Sequence, residues 1–418
     1  DDEVDVRLAE GFLRIQTWEY GSDHFHRGNP SLYTGEAIFG LMSLFLTDFA
    51  PLPERVESAT ERMAAVADLL TQGRENIRKA PLAWTRRAIR ECEGALKFLE
   101  GGVDHLASQC PAAPAGFRKN AERAASAFRD FGDYLETDLL SHPTTCRVCG
   151  EEAFSLYLKE GHFLDQAPDD IVAYAEAAMA EAAGRLTEEG VGINETSARL
   201  ADLHPTVHQY YHRYQEVWES IRKRAEDHSL LSWPDFPIRY IPRPQWAREA
   251  APHLYFLFYR SPAAFNRPRE HHYLVTPVDD TMPPETQEKL LRATNDSVIK
   301  LNHVIHHGSI GHHVQNWHAF RSRSRIGRIA AVDCASRIAM FCGGTMAEGW
   351  ACYATDLMSE AGALTPLERT AELQGRKRMA ARTIVDIRLH QGRFTLEQAA
   401  DYYVEHAGMA EGPAHDEA

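Results

Sequence analysis

Six histidines fall within seventeen residues, HVIHHGSIGHHVQNWHA, from His303 to Ala319. A neutral imidazole offers a nitrogen lone pair without a fixed charge, so such a cluster suits a divalent metal, zinc first, with iron or manganese as alternatives. On a helix turning about 100° per residue, His303 and His307 share a face, and His306 and His313 nearly do. His306 and His312 do not. Gly308 and Gly311 stand between them, however, and glycine permits a break across which the two rings converge. A metal-free acid–base cluster and a row of solvated histidines are the competing readings.

Two imidazoles on a metal are commonly completed by a carboxylate. Glu348 offers one, from the otherwise apolar run FCGGTMAEGWACYATDLMSEAG. Burying it there is costly unless it is paired or bound to a cation. Two ligands on one helix and one on the next would make a two-histidine, one-glutamate site. A salt bridge to a nearby arginine is the plainer alternative. The intervening AFRSRSRIGRIAAVD concentrates Arg321, Arg323, Arg325 and Arg328, which either hold an anionic substrate or are solvated. Further on, Arg382, Asp386 and His390 recur every four residues. Arg382 matches a substrate carboxylate bidentately, and an Arg–Asp pair at this spacing is equally a common helix staple.

These groups need a scaffold, and 418 residues are enough to build a large core. A formal charge of -15 argues against binding a nucleic-acid backbone. The longest apolar stretches, such as AIFGLMSLFL, fit a buried helix and not a membrane span. The chain opens DDEVDVRL, without a basic and apolar leader, which points to the cytoplasm; an exported chain whose leader had been removed would look the same. Seven cysteines are few and odd in number, so reduced thiols are expected. Cys146 and Cys149 form one CxxC, with His142 the only further ligand nearby for a zinc knuckle; a redox pair is the other reading. Cys92, Cys110, Cys334, Cys342 and Cys352 read as core residues.

Apolar residues recur every three or four positions through residues 52–72, 80–107, 117–140, 169–190 and 207–231, which predicts helices. The character changes near Leu231. A stretch rich in Pro, Tyr and Phe follows, with short β-prone runs IRYI, LYFLFY and HHYLV. A small antiparallel β element against the helices fits it. Helix is predicted again from TQEKLLRATNDSVIKLNHVIHH to Tyr403. The expected organisation is a helical region over 1–230, the Pro- and aromatic-rich segment over 231–280, a helical metal-site region over 281–410 and a frayed tail over 411–418. Together they form one integrated, mainly α body.

The motifs resemble a bacterial family, domain of unknown function 885 (DUF885), whose members are helical and zinc-peptidase-like. Its His-Glu-Ala-x-Pro-Gly-His-His-x-Gln stretch is similar to His306–Gln315, its Glu-Gly-Trp-Ala-x-Tyr stretch to Glu348–Tyr353, and its Arg-x-x-x-Asp-x-x-x-His pattern to Arg382, Asp386 and His390. The resemblance implies a metal-dependent, carboxypeptidase-like hydrolase with His306, His312 and Glu348 as metal ligands; His313 is the rival to His312. The leading reading has metal-activated water attack a carbonyl, with His307 or His313 moving protons and Tyr353 or His390 stabilising the oxyanion. Arg382, helped by Arg321 and Arg325, would bind a substrate carboxylate. The substrate is a small molecule or short peptide-like amide, and a homodimer is compatible. The chain departs from the pattern where the family's glutamate is His307 and its proline is Ile310. A histidine base begins neutral and ends cationic beside a metal, which disfavours it. His307 is therefore either a proton carrier or a further ligand. Lyase or non-haem iron oxygenase chemistry, or a ligand-binding relative without turnover, are the alternatives.

Overall fold

The computed structural model describes residues 2–145, 148–189, 193–233, 237–254, 270–330 and 344–418. The fold is mainly α-helical with a small two-stranded β element, as its periodicities predict. The chain forms two compact units, each assembled from three segments.

The first unit comprises Asp1–Arg147, Pro234–Pro277 and Asn316–Cys342. Its core lies between the helices Ser31–Leu46, Leu52–Asn76, Leu82–Lys97 and Gly116–Tyr134. The apolar run predicted as a buried helix supplies Ile38, Leu41 and Met42, which face Val56 and Met63 of the next helix. Full burial of each such side chain contributes about 1.5–3 kcal/mol. The strands Ile238–Pro242 and His271–Val275 pair in register, Tyr240 opposite Tyr273. They run parallel, which corrects the antiparallel expectation. A hairpin joins antiparallel neighbours, whereas here the long connection 243–270 lets the second strand return in the same direction. LYFLFY lies almost wholly outside the described residues.

The second unit comprises Val148–Trp233, Val278–Gln315 and Gly343–Ala418. The helices Pro168–Glu189 and Pro366–His390 pack through Val172, Ala175, Ala380, Ile384 and Ile387. A capping box of Thr365 and Glu368 starts the second of these helices. The helix expected over 286–307 is interrupted. Pro284–Ala293 ends, and the side chain of Asn295 then accepts hydrogen bonds from the backbone N–H groups of Ser297 and Val298, capping a new start. From there Ile299–Gly308 winds with i→i+5 hydrogen bonds, a wide turn that is rare in proteins and frequent at functional sites. Lys300, 2.8 Å from the buried carboxylate of Glu368, ties this helix to Pro366–His390. The tail does not fray: Glu411–Glu417 is helical, with Ala414 buried against Tyr403 and its neighbours.

Candidate metal centre

The break predicted between Gly308 and Gly311 is present. The wide helix stops at Gly308, Ser309 leaves helical geometry (φ -127, ψ -106), and a new helix runs His312–Ala319. Gly311 makes the turn this tight: a Cβ there would lie 1.8 Å from the carbonyl oxygen of His306, and its own N–H donates to Ile305 O. The indole N–H of Trp350 donates to the Ile310 carbonyl at 2.8 Å and reaches that of Gly311 at 3.2 Å. The helix Thr345–Glu360 is thereby pinned to the turn, and it carries Glu348.

Across that turn three imidazoles meet. His306, His307 and His312 each offer one ring nitrogen, and all three nitrogens lie within 4.8 Å of one another. Ring centroids of His306 and His312 are 4.9 Å apart. Glu348 bridges two of the rings, with Oε2 3.2 Å from His306 Nε2 and Oε1 3.5 Å from His312 Nε2. His307 Nδ1 lies 2.8 Å from Asn302 O. A carbonyl only accepts, so Nδ1 carries the proton and Nε2 keeps its lone pair. His312, not His313, joins the cluster; His313 is buried, 2% exposed.

Electrostatics separates these rings. Burial opposes charge on His306, but hydrogen bonds to Cys352 and Glu348 outweigh it and raise its pKa to about 9. Burial, and then the nearby His306 and His312, push His307 down to about 3. For Glu348 burial favours the neutral acid, yet the hydrogen bonds from His306 and His312 win and hold its carboxyl below the usual carboxylate range.

The donor set fits a divalent metal. Nitrogens bonded tetrahedrally to zinc at about 2.0–2.1 Å stand about 3.4 Å apart, so a pair as far apart as 4.8 Å would draw in by about 1.4 Å on binding. An open carboxylate already lies against two of them. The three imidazoles thus form a cluster capable of coordinating a divalent metal ion.

The other predicted residues are distributed differently. Tyr353 is 49% exposed, and its ring meets that of Trp350. His390 contacts Cys149, Phe154 and Asp386. Arg382 pairs with Glu417, so the expected staple to Asp386 gives way to a bond with the tail helix. Arg321 and Arg325 belong to the first unit. The Arg321 guanidinium sits 3.9 Å over the Trp317 ring, and Asp5 accepts from the backbone N–H of Arg325. Cys92 and Cys110 are core residues as expected, but Cys352 is exposed and hydrogen-bonded to His306. Its spacing of four from Glu348 on one helix was the available signal. Cys146, Cys334 and Cys342 lie outside the described residues.

His303 faces the Tyr214 ring instead of the cluster, and burial alone lowers its pKa to about 4. In the unfolded chain an imidazole titrates near pH 6.5. Between these values the unfolded chain binds a proton that the folded protein refuses, so stability is full above about pH 6.5 and falls as the pH drops toward 4. The shift corresponds to about 3 kcal/mol at most. Thermal unfolding of metal-free protein is expected to show this acid limb, and His303→Leu to flatten it. An unchanged limb in the variant would assign it to other groups.

A mainly helical fold carrying an imidazole cluster able to hold a metal defines the class. The chain belongs to the family described as bacterial protein of unknown function (DUF885), whose profile matches residues 2–418. No curated protein matches it. Solved structures that share the fold include two candidate lipoproteins. A candidate lipoprotein of unknown function from Shewanella oneidensis is 20% identical, with a TM-score of 0.69 over 99% of this chain and 76% of its own. A candidate lipoprotein from Colwellia psychrerythraea is 17% identical, with a TM-score of 0.61 over 87% of this chain and 65% of its own. These relatives overturn the expectation of a cytoplasmic protein, since a lipoprotein is a membrane-anchored, extracytoplasmic class. No described helix is long and apolar enough to cross a membrane.

Proposed function

We propose that the chain is a metal-dependent hydrolase acting on a small carboxylate-bearing or peptide-like amide substrate. The convergence of His306, His312 and Glu348 around one point supports this reading. Those three residues hold the metal, zinc by preference for an imidazole and carboxylate donor set. The bound ion supplies Lewis-acid polarisation of a carbonyl and of water. His307 is a further ligand and not the proton carrier. A base works best when its pKa lies near the working pH, and a ring held down to about 3 is a poor one. Its Nδ1–H bond to Asn302 O fixes the tautomer that leaves Nε2 free to ligate, as outer partners do for metal-bound histidines. Trp350 holds the turn, and Cys352 orients His306. The relatives described as lipoproteins support work outside the cytoplasm.

The test is metal analysis of protein purified without added metal, joined to turnover of N-acylated amino acids and dipeptides in oxygen-18 water. About one divalent ion per chain is expected, with label entering the product carboxylate and both lost in His306→Ala. A chain free of metal after metal supplementation, or turnover without label, would sink the hydrolase reading.

A further inference from the structure

The second unit holds another group of reactive side chains, which the metal reading does not use. Cys149 is a free thiol, its Sγ 3.2 Å from His390 Nδ1. The backbone N–H of Cys149 donates to the same Nδ1 at 3.1 Å. That bond settles the tautomer, because Nδ1 must carry the lone pair and Nε2 the proton. Nε2 in turn lies 3.6 Å from Asp386 Oδ1, one helical turn back on Pro366–His390. The ring is stacked on Phe154 at a centroid distance of 5.2 Å, so it cannot swing freely. Thiol, imidazole and carboxylate are in the order that base-assisted nucleophilic catalysis requires: the base is within reach of the nucleophile and is itself oriented by a third group.

We propose that Cys149, His390 and Asp386 form a base-assisted nucleophilic thiol, a second reactive centre that takes soft carbon electrophiles without a metal. With an alkyl iodide the S–C bond forms as the C–I bond breaks, and iodide leaves with the bonding pair. The thiol proton passes to His390 Nδ1, which gives up its bond from the Cys149 backbone N–H, and the Asp386 carboxylate, 3.6 Å from Nε2, pairs with the imidazolium that forms. Asp386 is itself faced by His162, which caps the C-terminal end of the helix Tyr157–Gly161, and by Tyr403. Among the described residues the thiol has one other acceptor, Gly150 O at 3.6 Å.

The assistance matters because burial pushes the Cys149 thiol up to about 11. At neutral pH its resting thiolate fraction is roughly a hundredfold or more below that of an ordinary cysteine, whose pKa is about 8.5, and the Asp386 carboxylate adds to the rise, so proton removal by His390 has to accompany attack. The experiment treats reduced full-length protein with iodoacetamide at pH 7 and follows each cysteine by peptide mass spectrometry, with N-acetylcysteine as the reference. Cys149 is expected to react within about tenfold of the reference. His390→Asn is expected to slow it at least tenfold, with free imidazole restoring part of the rate and Cys352 labelling unchanged. Asp386→Asn is expected to slow it less. Wild-type Cys149 reacting more than a hundredfold slower than the reference overturns the proposal. So does a His390→Asn or Asp386→Asn pair in which both label at the wild-type rate. The readouts need no metal and no hydrolytic turnover, so failure here is distinct from failure of the hydrolase reading.

Discussion

Gly311→Ala is expected to empty the metal centre and to destabilise the second unit by at least about 3 kcal/mol, the range of severe backbone and packing defects. The cause is space. The added Cβ would stand 1.8 Å from His306 O, 2.5 Å from His306 C and 2.6 Å from Ile305 O, all of them backbone atoms that no rotamer change can move aside. The turn must open, which breaks the Gly311 N–H bond to Ile305 O and the indole bonds of Trp350 to this segment. His306 and His312 lie on opposite sides of that turn, so opening it separates the two proposed ligands. Metal content and thermal unfolding measure both effects. Gly349→Ala is the control, since a Cβ there meets nothing within 4 Å. Equal metal content in the two variants would show that the tight turn does not position the site.

The same turn shows what the chain's chemistry made legible. Two glycines between two pairs of histidines predict a break, and the break is present, because glycine's lack of a side chain is a local property. Glu348 was legible for the same kind of reason: a lone carboxylate in an apolar helix needs a cation, and it finds two imidazoles. What was hidden depends on the path of the chain. An ideal helix puts His306 and His307 on different faces, about 100° apart, yet the wide i→i+5 winding and the turn together bring both to one point. Nothing in the periodicity of IKLNHVIHH distinguishes that winding from an α-helix. Partners distant in sequence were equally hidden. Arg382 meets Glu417, and His390 meets Cys149, 241 residues away. The strand pairing was misread because proline-rich composition marks edges without giving their direction.

Glu348→Gln should change both the strength of metal binding and its dependence on pH. The substitution keeps shape and removes charge. Two effects oppose each other. In the metal-free wild type, Glu348 and Cys352 hold a proton on His306 with a pKa of about 9, and that proton must leave before the nitrogen can ligate. At pH 7 this competition costs two pH units, a factor of about 100 in apparent affinity, or about 2.7 kcal/mol. The variant is spared the part of that cost that Glu348 imposes, while Cys352 keeps its share. Against it stands the loss of an anionic donor in a partly buried site, an effect of several kcal/mol on the scale of broken buried charge pairs, roughly 3–5 kcal/mol. Loss of the anionic donor outweighs the relief from proton competition, and the variant binds more weakly at every pH. The gap between the two proteins widens as pH rises. Wild-type affinity should climb about tenfold per unit between pH 7 and 9, one proton released per ion bound, while the variant, in which only Cys352 still favours the proton, should level off at a lower pH. Competition titration with a chromophoric chelator at pH 6, 7, 8 and 9 reads both slopes. Parallel slopes would remove Glu348 from the protonation of His306, and equal affinities at pH 9 would remove it from the metal.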